Sequence, residues 1–247
     1  MQRFIDYRVT RIFVLALAFP LFGAAQASRI PDTEHEIAEQ QVQQQEKQRI
    51  LGILPEFNTT NVPDAVPLSP GQKFELALKS ASDPFAFAFA GIDAGLSQWQ
   101  NEYPGYGQGA QGYGKRMGAA YADSFDGTLL GNALFPALLH QDPRYFRKGT
   151  GSFSSRLLYA VSTTVICKGD NGHWQPNYSN VLGNLAAGGI ANLYYPSSDR
   201  GVGLTFERSI TVSAEGAIGA VVYEFWPDIS RKLFHKQTSP PVRALAE

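Results

Sequence analysis

The sequence predicts a mainly helical fold, a compact bundle of about five helices rich in small and aromatic residues. Apolar residues recur every three or four positions in several segments of residues 71–236, and turn-forming residues separate these segments. The chain has 247 residues, of which 44% are hydrophobic, enough for one ordinary core. The alternative is a β-rich outer-membrane barrel, which the 24 glycines would suit, but only one segment alternates as a strand does.

Charge and cysteine content exclude several classes of protein. The 21 Lys and Arg balance 22 Asp and Glu, so no broad basic field exists to bind nucleic acid. The single cysteine, Cys167, excludes an internal disulfide framework and a cysteine-clustered metal site. Its place after an apolar run predicts a buried, inert thiol. No histidine pair has the spacing of a helical metal site, and we expect neither a metal nor a cofactor.

The N-terminus is typical of a secretory signal. Three arginines precede an apolar run at residues 12–22, and Ala25-Gln26-Ala27 follows it. We therefore expect residues 1–27 to be a signal peptide cleaved after Ala27. The alternative is an uncleaved membrane anchor, but the apolar run is short for a span of about 20 residues. This prediction implies export, either to the periplasm or to the outer membrane.

Residues 28–70 are predicted to form a polar arm and then an extended, Pro-rich strap. Residues 28–48 contain few apolar side chains and predict a solvated helix or a disordered arm. Prolines at 55, 63, 67 and 70 are expected to preclude a regular element in residues 49–70. At the other end of the chain, residues 237–247 predict a disordered, Pro-rich tail.

The helical domain, residues 71–236, divides at its turn signals. Ser82-Asp83-Pro84 predicts a helix start, and five apolar residues then lie on one face of that helix: Phe85, Phe89, Ile92, Leu96 and Trp99. A Gly-Tyr loop at residues 105–114 is expected to be a flexible connection before a second helix that ends at His140. A third helix is predicted at about 154–166, before a turn at 168–172, and a fourth at about 179–193.

Residues 202–226 fit two patterns. Apolar residues alternate as in a strand near residues 202–214, and they also repeat as in a helix from Phe206 to Phe225. We choose the helix, because its pattern continues for about five turns and ends before Pro227. A short last helix is expected at residues 228–235.

Glycine follows glycine at a spacing of four residues in four places. The pairs are Gly91/Gly95, Gly105/Gly109, Gly114/Gly118 and Gly127/Gly131. This spacing permits close helix packing, but random placement of the glycines would produce about two such pairs. The spacing alone therefore predicts little.

The densest polar cluster lies at residues 140–147. In a functional interpretation, His140 is a general base oriented by Asp142, and Arg144 or Arg147 holds an anionic group. In a structural interpretation, His140 interacts with the last helix carbonyls, Asp142 accepts turn amides, and the arginines pair with nearby acids. We favour the structural interpretation, because a base needs a nucleophile or substrate that the sequence does not place.

Three aspartates, Asp93, Asp123 and Asp126, lie within apolar helices, where an unpaired carboxylate would be costly. We expect them to face water or to join an ion-pair network. The candidate partners are Arg116, Arg144, Arg156 and Arg208.

Four phrases occur together along the chain: LLHQDPRYFR from Leu138, NLYYP from Asn192, EFWPDI from Glu224, and GYGKR from Gly112. With these phrases the chain resembles a group of uncharacterised exported bacterial proteins over most of residues 48–236. The resemblance implies export and a bacterial origin, and it transfers no site residues.

The expected function is a non-enzymatic structural or interaction role at the membrane of a bacterial envelope. The signal, the low charge and the absence of a complete catalytic constellation favour this hypothesis. The expected partners are membrane lipid or an envelope protein. One alternative is a periplasmic hydrolase that uses His140, Asp142 and Arg144, and another is a carrier of a small hydrophobic ligand.

Overall fold

The computed structural model describes residues 32–46, 49–50, 54–55, 58–63 and 65–234, and this part of the chain is mainly helical, as predicted. The predicted signal and tail lie outside the described residues. The helices are α1 (Asp32–Glu46), α2 (Pro70–Ala81), α3 (Pro84–Trp99), α4 (Gly109–Leu129), α5 (Phe135–Leu139), α6 (Phe153–Ser162), α7 (Tyr178–Ala191) and α8 (Val202–Phe234). The strands are β1 (Arg49–Ile50), β2 (Leu54–Pro55), β3 (Thr59–Thr60), β4 (Tyr145–Phe146), β5 (Ile166–Lys168) and β6 (Trp174–Pro176).

Helix α4 lies at the centre of the bundle. It packs against α2, α3, α7 and α8, and α7 in turn packs along α8. One core cluster joins α4, α7 and α8 through Ala119, Ala191 and Leu204, together with Tyr106 and Tyr195. Helix α4 therefore links α2, α3, α7 and α8 into one bundle.

The polar arm is helical in its described part, and α1 contacts the rest of the chain. Val42 of α1 forms a buried cluster with Leu68 and Leu76. Ser69 begins α2 with a capping box, in which Ser69 Oγ accepts from the Gln72 amide and Gln72 Oε1 accepts from the Ser69 amide.

The expectation that prolines preclude regular structure in the strap is wrong. Strands β1 and β2 pair with each other, and β3 pairs in parallel with β4. In the β3–β4 pair, the amides of Tyr145 and Arg147 donate to the carbonyls of Asn58 and Thr60. The strap thus supplies the acceptors in this pair, and β3 itself contains no proline.

The predicted loop at residues 105–114 is shorter than expected, because α4 already begins at Gly109. Gly112 permits this start: a Cβ at Gly112 would lie 2.2 Å from the Gly107 carbonyl oxygen. Between α4 and α5 the chain forms a π-helical turn, Leu130–Leu134. The wider turn precedes Pro136, whose ring would clash with a carbonyl in a regular α-helix.

Two further boundaries differ from the prediction. Helix α6 ends at Ser162, residues 163–165 form a turn, and Ile166, the expected helix end, begins β5, which pairs with β6 around the predicted turn. Helix α8 continues through Pro227, where a helix end was expected. Arg147 Nε and Arg156 NH2 donate to the Glu224 carbonyl at 3.0 and 2.6 Å, so contacts from outside α8 support the turn that contains the proline.

Four of the five residues on the apolar face predicted for α3 are exposed rather than buried. Phe89, Ile92, Leu96 and Trp99 are exposed, and Trp99 has an exposed fraction of 82%. The buried positions of α3 are Ala90, Ala94 and Ser97, which are small. In this helix most of the large apolar side chains are therefore exposed, and the small side chains pack against the rest of the protein.

The same inversion occurs in α6, α7 and α8. Their exposed positions carry large apolar side chains: Phe153, Leu158, Val161, Val181, Leu182, Val202, Phe206, Ile210 and Ile218. Their buried positions include charged or polar ones: Arg156, Ser179, Asn184, Arg208, Ser209 and Glu224. None of the described helices combines the length and the hydropathy needed to cross a bilayer.

Candidate functional site

His140 lies at the C-terminal end of α5 in the left-handed backbone region, with φ at 52°. Its side chain is 81% exposed, and His140 Nδ1 lies 3.9 Å from Asp170 Oδ2. Asp170 is already paired with the buried Lys73, whose Nζ donates to it at 2.8 Å. His140 therefore points into solvent and lacks a close orienting carboxylate among the described residues.

Asp142 and Arg144 are buried and bind each other. Arg144 Nε and NH2 donate to the Asp142 carboxylate at 3.0 and 2.6 Å. Arg144 NH2 also donates to the Val66 carbonyl at 2.7 Å, which attaches this pair to the strap. The structure thus brings Asp142 and Arg144 together but does not bring His140 to them, and each of the two is engaged in a structural contact.

Glu224 is fully buried and joins the phrase at residues 138–147 to the phrase at 224–229. Its carboxylate accepts from Tyr145 OH at 2.7 Å, from Arg156 Nε at 2.6 Å, and from the backbone amides of Lys148 and Gly149, both at 2.9 Å. The two phrases therefore meet in one buried polar cluster.

The pKa of Glu224 reflects this environment. Burial alone would raise the pKa, but the hydrogen bonds from Tyr145, Arg156 and the two amides outweigh burial and lower it. One helical turn later, Arg156 NH1 lies 2.6 Å from Asp228 Oδ2, and the pKa of Asp228 is lowered in the same way. Both groups are anions held by cations and donors, so this cluster stabilises the fold.

Asp123 is the centre of a second cluster. Its two oxygens accept from Tyr194 OH at 2.7 Å and from Tyr195 OH at 2.6 Å, and Arg208 Nε lies 2.9 Å from Oδ2. The predicted ion pair is therefore confirmed for Asp123 and Arg208. Burial and the Asp123 charge raise the pKa of both tyrosines, which stay protonated donors.

Arg116, from the fourth phrase, is buried and binds backbone. Its guanidinium donates to the carbonyls of Glu102, Tyr103 and Gly107 at 2.6 to 3.2 Å. It closes the turn between α3 and α4. All four phrases thus belong to clusters that hold the fold together.

A cavity of about 520 Å³ opens along α3, α4 and α8 and reaches the segment after α5. Small residues line much of it, among them Ala86, Ala90, Ala120, Gly216 and Gly219. Its volume lies within the range of small-molecule pockets, about 300–1,000 Å³. Such a space between helices of a bundle is large enough for a ligand, and we regard it as the candidate functional site.

Carboxylates from three helices face this cavity: Asp93 of α3, Asp123 of α4 and Glu215 of α8. Burial raises the pKa of Asp93, with Glu102 and Asp123 adding to the increase against Arg208. Glu215 is exposed and lines the cavity. Desolvation and the charges of Asp93 and Asp123 raise the pKa of Glu215, and the charge of Arg208 opposes this increase. Among the described residues, Arg208 is the cation that lies near all three carboxylates.

Cys167 also lines the cavity, and its thiol does not suit nucleophilic chemistry. It is buried, and burial followed by the charges of Asp142 and Asp170 raises its pKa to about 12. The described residues contain no group of His, Cys, Asp and Glu side chains arranged to hold a metal ion.

Sequence reasoning missed the central roles of Glu224 and Glu215. Glu224 stands four residues before Asp228, and this spacing places both acids on one face of an apolar helix, a usable signal of buried cations nearby. Glu215 stands seven residues after Arg208, on the same face of α8, but its other charged neighbours, Asp93 and Asp123, belong to α3 and α4 and give no signal in the sequence.

Comparison with known proteins supplies no assignment. No protein-family model matches the chain, and neither curated proteins nor solved structures include a significant match.

Proposed function

We propose that this chain is an exported, non-enzymatic protein of the bacterial envelope, held at a membrane by apolar helix faces that contact lipid. The observation that carries the proposal is the inversion of the helices, with large apolar side chains outside and polar or small side chains inside. The partner that fits this surface is membrane lipid, and the mode of association is peripheral or monotopic.

The apolar outer faces favour lipid over water by a substantial free energy. Full burial of one large apolar side chain contributes about 1.5–3 kcal/mol. On α3 alone, Ile92, Leu96 and Trp99 each leave about half or more of their surface exposed. Their transfer to an apolar medium would contribute on the order of 3–6 kcal/mol, before the other helices are considered.

The polar interior is compatible with this location. Charged groups near a membrane are stable when they pair with one another away from lipid. Asp142 with Arg144, Asp123 with Arg208, and Glu224 with Arg156 meet that condition. The predicted signal at residues 1–27 supports export, since it would direct the chain to the envelope.

Liposome flotation tests the proposal. We expect the wild-type protein to float with vesicles in high salt, because salt screens ion pairs but does not weaken apolar contacts with lipid. Replacing Ile92 and Leu96 by lysine puts two charges on the α3 face, and partitioning should fall about tenfold or more. The matched control, Gln100→Lys with Gln111→Lys, adds the same charge at exposed polar positions and should float like the wild type.

Two results would overturn the proposal. A wild-type protein that stays monomeric in the aqueous fraction would show that the apolar faces are stable in contact with water. A protein that stays with the aqueous fraction as a stable oligomer would show that a second copy covers them.

A further inference from the structure

The cavity described above has an uneven charge distribution along its α3, α4 and α8 walls. Arg208 is paired with Asp123 at 2.9 Å. Asp93 and Glu215 also face the cavity, and neither forms a hydrogen bond with another described residue. The end of the cavity between α3 and α8 therefore holds more carboxylates than cations.

The other charged residues of the cavity do not neutralise these two acids. Asp142 and Arg144 bind each other at 2.6 Å. Lys168 Nζ donates to the Pro63 carbonyl and lies 4.6 Å from the centre of the Phe146 ring. A cation supplied from outside the chain would thus find acceptors at Asp93 and Glu215 that no lysine or arginine of the described residues occupies.

A second observation, in a small space that adjoins the cavity at Asp93 and Arg208, also indicates a polar guest. Ser97 lies one helical turn after Asp93 on α3, and its exposed fraction is 6%. Its Oγ has no hydrogen-bond partner among the described residues. Ser97 faces a small space of about 20 Å³ whose walls include Asp93 and Arg208, both of which also line the large cavity. A buried hydroxyl without a partner is costly, so a group that donates to it is favoured here.

The walls around these acceptors are apolar and made of small residues. Ala86 and Ala90 of α3 and Gly216 and Gly219 of α8 leave the space open, and Phe85 and Phe89 lie at its α3 side. This lining suits a compact hydrocarbon body rather than an extended polar chain.

We propose that the cavity binds a small amphipathic cation, an ammonium group attached to a compact apolar body. An ammonium has three donors, and the carboxylates of Asp93 and Glu215 supply acceptors for it on the cavity wall, with the space beside Ser97 adjoining Asp93. The apolar body occupies the space beside Ala90 and Gly216. This inference concerns the interior of the bundle and does not depend on whether lipid covers the outer faces.

Calorimetric titration of the full chain with a matched pair of compounds tests the proposal. The probe is 1-adamantylamine, and 1-adamantanol has the same cage with a neutral hydroxyl in place of the ammonium. We expect the amine to bind at least about tenfold more tightly than the alcohol, because a partly buried charge pair is worth more than a neutral hydrogen bond.

Variants locate the site. Asp93→Asn with Glu215→Gln keeps the side-chain shapes and should abolish the preference for the amine, whereas Glu75→Gln, an exposed acid outside the cavity, should leave it unchanged. Gly216→Leu fills the cavity at a position where an added Cβ meets nothing within 4 Å, and it should abolish binding of both compounds. Because leucine is also the better helix former, this variant should fold.

Three outcomes would overturn the proposal. They are equal affinity for the amine and the alcohol, a preference for the amine that survives the Asp93 and Glu215 substitutions, and undiminished binding by the Gly216→Leu variant. Failure of the wild type to bind either compound would also overturn it.

Discussion

Replacing Glu224 by alanine is expected to lower the free energy of unfolding by about 3–5 kcal/mol, the usual result of removing one partner of a buried ion pair. The substitution leaves the Arg156 guanidinium, the Tyr145 hydroxyl and the amides of Lys148 and Gly149 without their shared acceptor. The measurement is denaturant unfolding of the purified protein, followed by circular dichroism at neutral pH.

The pH dependence identifies the source of this loss. Because the folded protein lowers the pKa of Glu224 below its ordinary value of 4.5, the stabilisation from Glu224 is fully present above that value. It is lost as the pH falls through the lowered pKa. The difference in stability between wild type and variant should therefore be constant near neutral pH and should narrow in acid.

Glu207 provides the control on the same helix. It is exposed and accepts a hydrogen bond from Tyr103, so Glu207→Ala should cost less than about 1 kcal/mol. If Glu224→Ala were as mild as Glu207→Ala, the buried cluster would not be the link between the two phrases.

The second large effect is expected at Gly188, where α7 meets α8. A Cβ at Gly188 would lie 2.3 Å from the Thr205 carbonyl oxygen and 2.7 Å from Ser209 Oγ, so alanine forces the two helices apart. We expect Gly188→Ala to lower the free energy of unfolding by about 3 kcal/mol, at the upper end of ordinary overpacking effects. The same denaturant titration measures it.

The neighbouring glycine makes a matched control. A Cβ at Gly189 would meet nothing within 4 Å, and alanine is the better helix former. Gly189→Ala should therefore raise the stability by about 0.5–1 kcal/mol. Similar effects of the two substitutions would contradict the close approach of α7 and α8.

The glycines show where sequence reasoning reaches its limit. The spacing of four residues draws attention to Gly114 and Gly118, yet an added Cβ at either position would meet nothing within 4 Å. Gly188 belongs to none of the predicted pairs. Whether a glycine lies at a helix crossing depends on which face of the helix is turned toward its neighbour, and periodicity does not contain that information.

Periodicity predicted helix α3 correctly but not its orientation. The repeat of Phe89, Ile92, Leu96 and Trp99 predicted α3, and these residues do share one face. A repeat gives the angle between side chains and leaves open which side is the interior. Here the interior side is occupied by alanines and Ser97, and the apolar face is exposed.

Contacts distant in the sequence explain the remaining differences. Pro227 was expected to end a helix, but Arg147 and Arg156 bind the Glu224 carbonyl from outside α8. In the polar cluster at residues 140–147, the left-handed turn at His140 separates its side chain from the Asp142–Arg144 pair. Neither outcome follows from local propensity, because each depends on tertiary structure.

The central claim is that the apolar outer faces contact lipid, and the exposed indole of Trp99 offers the most direct test. Trp174→Phe with Trp226→Phe leaves Trp99 as the single tryptophan, which makes its fluorescence a reporter of the α3 face. The account predicts that vesicles with brominated acyl chains quench this fluorescence relative to unbrominated vesicles and that the emission shifts to the blue. Equal emission with both kinds of vesicle, at the wavelength of a solvated indole, would contradict it.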